Sequence, residues 1–179
     1  MQKIGAFAFH GSAIELFSAP DSLRQIGAGA FSGCKSLRKV YLNKGLEIVG
    51  ESKNITGAFE GSGLLEIQLP GTLKIIAART FRYCSSLSVA KFPRRLEHIG
   101  ESAFQCTDQR QFVAPSALKS IGVAAFLDCK FLHTVELNRK LESIGWLCFF
   151  GTGVDTLAVP RRLGKSQQNL GIGLANVKN

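Results

Sequence analysis

Leu96-Glu97-His98-Ile99-Gly100-Glu101-Ser102-Ala103-Phe104 decides the fold, because its skeleton, Leu-x-x-Ile-Gly-x-x-Ala-Phe, is written along the chain repeatedly. It returns as Leu23 to Phe31, Leu118 to Phe126 and Leu141 to Phe149, in looser form as Leu46 to Phe59 and Leu73 to Phe81, and as a truncated opening copy, Ile4 to Phe9. The closing phenylalanines, Phe9, Phe31, Phe59, Phe81, Phe104, Phe126 and Phe149, are separated by 22, 28, 22, 23, 22 and 23 residues. A unit that repeats in the twenties cannot bury its apolar face alone and must stack on its neighbours, which predicts a solenoid.

Each template is followed by a short alternating segment, clearest in Lys39-Val40-Tyr41-Leu42. Period-two alternation marks a strand with one face inward, and the equivalent inward pairs are Phe17/Ala19, Ile67/Leu69, Ala90/Phe92, Phe112/Ala114, Val135/Leu137 and Leu157/Val159. Every strand stops at Pro20, Asn43, Pro70, Pro93, Pro115, Asn138 or Pro160; proline lacks the N–H that would extend a ladder and asparagine turns readily. Three residues on, Leu23, Leu46, Leu73, Leu96, Leu118, Leu141 or Leu163 returns inward. The glycines that follow (Gly27, Gly50, Gly100, Gly122 and Gly145, with Ala77 as exception) suit a tight bend with close backbone approach. The phenylalanines are expected to stack as an interior spine, each burying about 150 Å² or more.

A finer alternation lies within the period. Units closing on Phe-x-x-Cys, with Cys34, Cys84 or Cys129, carry one residue more before the strand's end than those with Ser12, Ser62, Thr107 or Thr152 there, so the repeat is a pair of coils totalling 45 residues. After the returning leucine, Arg24, Glu47, Lys74, Glu97, Lys119 and Glu142 alternate in sign, placing opposite charges on neighbouring coils.

The unit Leu-x-x-Val/Ile-x-Leu-Pro-x-x-Leu-x-x-Ile-Gly-x-x-Ala-Phe-x-x-Cys resembles the BspA-like leucine-rich repeats of surface proteins from bacteria and some protists, from about Ile4 to Leu163. Gln109 where leucine is expected, Ala90, Ala77, Thr80 and the enlarged third unit depart from it. Pattern and resemblance together give a right-handed leucine-rich-repeat solenoid with a single parallel β-sheet, one short strand per coil and about seven coils of 22–23 residues. Residues 1–163 form the array, its third coil enlarged around 51–57, and 164–179 an irregular last coil or C-terminal tail. The resemblance implies a cell-surface or secreted protein engaged in adhesion to host or matrix proteins.

Composition narrows the classes further. The 179 residues are 45% apolar and 20% charged, ordinary for a folded chain. No run reaches the roughly 18 apolar residues of a membrane-spanning helix. Met1-Gln2-Lys3-Ile4-Gly5 enters a repeat with no signal-peptide core before it, so the chain reads as part of something longer. His10, His98 and His133 occupy non-equivalent positions with no nucleophile or paired carboxylate placed beside them by the repeat, and no cysteine or histidine spacing fits zinc. No enzyme, metal or cofactor is expected. Cys34, Cys84 and Cys129 fall on every second coil, about 10 Å apart, beyond the roughly 7 Å limit for a disulfide. They are expected in a buried ladder of small side chains facing backbone groups. Cys106 and Cys148 lie off this column, with a bond from Cys106 to a neighbouring coil as the alternative. Trp146, Leu147, Cys148, Phe149 and Phe150 make coil seven the most aromatic and are expected to fill the end of the core, or else to meet a further coil or a partner.

Two surfaces are candidate binding sites. The outward strand positions Lys39, Tyr41, Glu66, Gln68, Lys91, Val113 and Glu136 give a chemically mixed sheet face suited to a protein partner. The pair after each strand gathers Lys44, Arg94, Arg95, Arg139, Lys140, Arg161 and Arg162 against one acid, Asp21, a net six of the chain's nine surplus positive charges. That edge is either a solubility device or an anion-binding stripe for a sulfated glycan; nucleic acid is not expected. A structural spacer within a larger protein is the remaining alternative. Asn54-Ile55-Thr56, in the enlarged third unit, is a formal glycosylation sequon.

Overall fold

The computed structural model describes residues 1–50, 56–161, 163 and the backbone of 177–178. The chain winds through six full turns between its first and its seventh copy of the template, and each coil carries two strands. The outer-face strands are β2 (Leu16–Ser18), β4 (Lys39–Tyr41), β6 (Glu66–Gln68), β8 (Val89–Lys91), β10 (Gln111–Val113), β12 (Thr134–Glu136) and β14 (Leu157–Ala158). The expected one strand per coil is there. A second, two-residue strand lies inside each template: β1 (Lys3–Ile4), β3 (Gln25–Ile26), β5 (Ile48–Val49), β7 (Ile75–Ile76), β9 (His98–Ile99), β11 (Ser120–Ile121) and β13 (Ser143–Ile144). Every pairing is parallel, and β15 (Val177–Lys178) pairs with β14. Among the described residues no helix is long and apolar enough to cross a membrane.

Hydrogen bonding on the outer face runs in pairs, β2–β4, β6–β8, β10–β12 and β14–β15, whereas the inner ladder breaks only between β5 and β7, at the enlarged third coil. The first three pairs each join a serine or threonine coil to the cysteine coil that follows. The 45-residue period seen in the sequence is thus physical: the extra residue ahead of the strand in each cysteine coil changes its phase toward the next coil. Cysteine side chains reinforce the pairing. Cys34 Sγ donates to Phe9 O at 2.9 Å, Cys84 Sγ to Phe59 O at 3.0 Å and Cys129 Sγ to Phe104 O at 3.0 Å, each reaching back one coil. Each sulfur also lies 3.3–3.5 Å from the hydroxyl of Ser12, Ser62 or Thr107. All five cysteines are free. Burial pushes the Cys84 and Cys129 thiols up to about 11 and raises Cys148 as well.

The core is the aromatic spine that the repeat implies. Phe9, Phe31, Phe59, Phe81, Phe104, Phe126 and Phe149 stack in sequence with ring centroids 5.1–5.6 Å apart. Phe17, Phe92 and Phe112 pack against them from the sheet side. The returning leucines are buried beside the spine. In coil seven Cys148 and Phe149 enter the core, but Trp146 and Phe150 are 58% and 51% exposed and do not fill it.

The template glycine makes the close backbone approach that the repeat implies. A Cβ on Gly122 would sit 2.6 Å from Glu101 N, and one on Gly145 2.2 Å from Val123 N, so glycine is demanded by the close approach of the preceding coil. Ala77 faces Gly50 on the coil beneath, where the absence of a side chain leaves room for its methyl: a Cβ on Gly50 would lie 3.1 Å from Ala77 Cβ. Left-handed backbone falls two residues after the glycine, at Gly29 and also at Phe7, Arg79, Ser102, Ala124 and Leu147. Asn43 and Asn138 do more than turn: their side-chain amides donate at 2.6 Å to Pro20 O and Pro115 O, tying coils two and six to the coils beneath.

Candidate interaction surfaces

On the outer face the middle residue of each strand faces the core, and both flanking residues face out, as alternation dictates. Lys39, Tyr41, Glu66, Gln68, Lys91, Val113 and Glu136 are all exposed there. Leu16, Val89 and Gln111 are exposed beside them, and Leu16 extends the face one coil beyond the candidate residues.

The most structured part of this face lies over coils two to four. Lys39 Nζ is 3.6 Å from Glu66 Oε1 and 5.4 Å from the centroid of the Tyr41 ring. Tyr41 first, then Glu66, lifts the Lys39 ammonium above its ordinary pKa. A cleft of about 120 Å³ opens between Lys39, Tyr41, Glu66, Gln68, Val89 and Lys91, spanning the place where hydrogen bonding lapses between β4 and β6. Arg38 Nη1 donates to Gly63 O at 2.9 Å across the same gap. An aromatic ring, an aliphatic side chain and both signs of charge therefore converge on one opening.

The alternating column after the returning leucines forms its cross-coil pairs around Glu97, whereas Arg24 Nη1 donates to Asp21 O and Leu23 O of its own turn. Glu97 lies between Lys119, 2.5 Å away on one neighbouring coil, and Lys74, 3.6 Å away on the other. The Lys119 hydrogen bond and charge hold the Glu97 carboxyl below its usual range, with a smaller contribution from Lys74. Such exposed pairs add little stability each.

The basic pairs occupy the turn after each outer strand. Lys44, Arg94, Arg95, Arg139, Lys140 and Arg161 are exposed, and Arg162 lies outside the described residues, as does Asn54 with its sequon. A shallow depression beside Tyr41 and Gln68 is bordered by Lys44, Gly71, Thr72 and Arg95, so face and edge meet over coils two to four.

The structure corrects the reading of the histidines. His10 Nδ1 is 2.6 Å from Ser32 Oγ and His98 Nδ1 is 2.7 Å from Ser120 Oγ, each across adjacent coils. Ser32 Oγ in turn donates to Gly29 O, and His98 is the direct cross-strand partner of Ser120. Ser32 is buried, and among the described residues neither imidazole has a second hydrogen-bonding partner to orient it. These contacts tether coils.

Stacked coils, a parallel outer ladder and an aromatic spine define a leucine-rich-repeat solenoid. The chain belongs to the BspA type leucine-rich repeat family, whose model matches residues 2–54 and 53–170 in six copies. It is similar to a leucine-rich repeat protein from Bacteroides ovatus, at 30% identity and a TM-score of 0.82 over 90% of this chain. It spans 42% of that protein's length. A T. pallidum leucine-rich repeat protein is 28% identical, with a TM-score of 0.73 over 92% of this chain and 72% of its own. A leucine-rich cell surface protein from Faecalibacterium prausnitzii shares the fold at 20% identity and a TM-score of 0.53, over 89% of this chain and 51% of its own. No curated protein matches the sequence.

Proposed function

We propose that this array is a non-enzymatic protein-interaction scaffold, part of a cell-surface adhesin, and that its sheet face engages a host or matrix protein. The observation that carries the reading is the cleft over coils two to four, where Tyr41 and Val89 are exposed among Lys39, Glu66, Gln68 and Lys91. Exposed aromatic and aliphatic side chains ringed by polar ones are what protein interfaces use as anchors and rim. The face changes chemistry from coil to coil, which suits an irregular protein surface better than a repetitive polymer. A passive spacer would have no use for Leu16, Tyr41, Val89 and Val113 in water, where each stands between 44% and 53% exposed. The family resemblance, and the description of the Faecalibacterium protein as a cell surface protein, are in keeping with that setting.

Binding to a panel of immobilised extracellular-matrix proteins tests it. Tyr41→Ser combined with Lys91→Glu should weaken binding about tenfold or more, the size of a lost anchor residue, with little dependence on salt. Unchanged binding by the double variant would refute the face. Failure of the unsubstituted protein to bind any of the panel would favour the spacer.

A further inference from the structure

We infer that the edge following the outer strands is a second binding site, adjoining the sheet face at Tyr41 and Gln68, and that it takes a linear sulfated glycan. Three observations point there.

The first is where the acids are. Glu60 pairs with Arg82, Glu66 with Lys39, Glu97 with Lys74 and Lys119, and Glu101 with Arg79. Lys44, Arg94, Arg95, Lys140 and Arg161 have no such partner among the described residues. Lys35, Lys91, Arg110 and Lys130 are likewise unpaired, but they stand singly at other strand positions, whereas the edge cations gather in one column of turns.

The second is periodicity. The basic pairs stand on even coils, at Lys44, at Arg94 and Arg95, and at Arg139 and Lys140, and Arg161 follows on coil seven. Between them Gly71-Thr72 and Ser116-Ala117 are small and uncharged. At about 4.8 Å per coil the first three cationic rungs recur every 10 Å or so and Arg161 follows about 5 Å on, roughly 24 Å in all. A solubility edge needs no such spacing, whereas a polymer carrying regular anionic groups is matched by it, small rungs leaving room for the sugars between. Asn138 Oδ1 accepts Lys140 N at 2.7 Å and Asn43 Oδ1 accepts Gly45 N at 2.7 Å, so two of the three turns are held in shape before any ligand arrives.

The third is shape. The depression bordered by Lys44, Gly71, Thr72 and Arg95 spans two cationic rungs, and nothing lies within 4 Å of a Cβ placed on Gly71. Single-stranded nucleic acid is gripped by aromatic rings interleaved with cations along the strand; none of the seven edge pairs contains an aromatic residue, and Tyr41 alone supplies a ring among the residues lining the depression. Phosphate chemistry is therefore the weaker match.

The test compares Arg94→Ser/Arg95→Ser/Lys140→Ser with Lys35→Ser/Arg110→Ser/Lys130→Ser, which removes the same charge from exposed positions ahead of the strands. The unsubstituted protein should bind heparin at physiological salt, with affinity falling steeply as salt rises. The edge variant should lose about tenfold or more, and its dependence of log K on log salt should become shallower by roughly two to three, about one released counterion per lost contact. The control variant should keep most of its affinity. Equal losses in the two variants would reduce the effect to net charge and overturn the site, as would no heparin binding by the unsubstituted protein. Single- or double-stranded DNA bound as tightly as heparin at the same salt would overturn the glycan assignment. Circular dichroism accompanies each measurement; should the triple edge variant lose its fold, Arg94→Gln/Arg95→Gln, confined to one exposed turn, carries the same comparison. Sheet-face variants away from the depression, such as Val113→Ser or Glu136→Ser, serve as a separate arm and should leave heparin affinity within about twofold, so failure of either site is read apart from the other.

Discussion

Replacing Gln109 by leucine should make the protein more stable. Gln109 occupies the core column of Ile14, Leu37, Leu64, Leu87, Leu132 and Val154 and is 1% exposed. Neither its Nε2 nor its Oε1 has a hydrogen-bond partner among the described residues. Burying an amide without a partner costs about 1–3 kcal/mol by the measure of protein mutants. Leu87 and Leu132, both fully buried, show that the neighbouring coils accept leucine's branched shape in this column. Gln109→Leu removes the penalty and adds apolar burial, so unfolding should become harder by about 1–3 kcal/mol. Urea titration followed by far-ultraviolet circular dichroism reads this as a higher midpoint at unchanged slope. Leu132→Ala, in the same column, sets the scale by lowering stability about 2–5 kcal/mol. A midpoint unchanged or lowered in Gln109→Leu would mean that the amide is hydrogen-bonded in solution, and the reasoning would fail.

Three further expectations follow from the packing. Phe104→Ala, with stacked rings on both sides, should cost about 3–5 kcal/mol, against almost nothing for the exposed Lys35→Ala; equal melting temperatures would displace the spine. Gly122→Ala should destabilise by about 1–3 kcal/mol, as overpacking does, because the new methyl would meet backbone 2.6 Å away, and a neutral result would show that the coils are not so close. All five thiols should titrate after denaturation without reductant. The Cys84 and Cys129 thiols, pushed from 9.0 to about 11 by burial, stay protonated in the folded chain while they ionise in the unfolded one. Their contribution is complete below pH 9 and is lost as pH rises from 9 toward 11, at up to about 1.4 kcal/mol per unit for each thiol. Cys84→Ser/Cys129→Ser should flatten that decline, and an equally steep fall in the double variant would locate the alkaline sensitivity elsewhere.

How much could be read before the structure was in hand depends on whether a feature repeats. The phenylalanine, leucine and cysteine columns were legible because identical side chains return at one interval, and stacking converts interval directly into contact. The sheet-face and edge residues followed from the same alignment, so their exposure was legible too. What escaped depends on which coil lies against which. A two-residue strand such as His98–Ile99 is too short to leave a propensity signal, and it exists only because the coil beside it supplies the partner. His98 meets Ser120, and Asn138 meets Pro115 O, through that same register. The close backbone approach at the template glycine was legible because the glycine recurs with the period; that it is made to the backbone of the coil below is a property of two coils together. Left-handed backbone at Arg79 or Tyr83 was hidden because only some copies, such as Gly29 and Gly33, mark the position with glycine. Trp146 and Phe150 were misplaced because aromatic content alone does not say which side of a coil a residue takes.

The central claim, that the outer face is where a protein partner sits, is tested most directly by lysine-labelling footprints of the protein free and bound to a matrix protein. Lys39 and Lys91 lie on the face, Lys140 on the edge, and Lys35 and Lys130 ahead of the strands. Binding should slow acetylation of Lys39 and Lys91 several-fold and leave Lys35, Lys130 and Lys140 unchanged. Protection of Lys35 and Lys130 with Lys39 and Lys91 still reactive would contradict the claim.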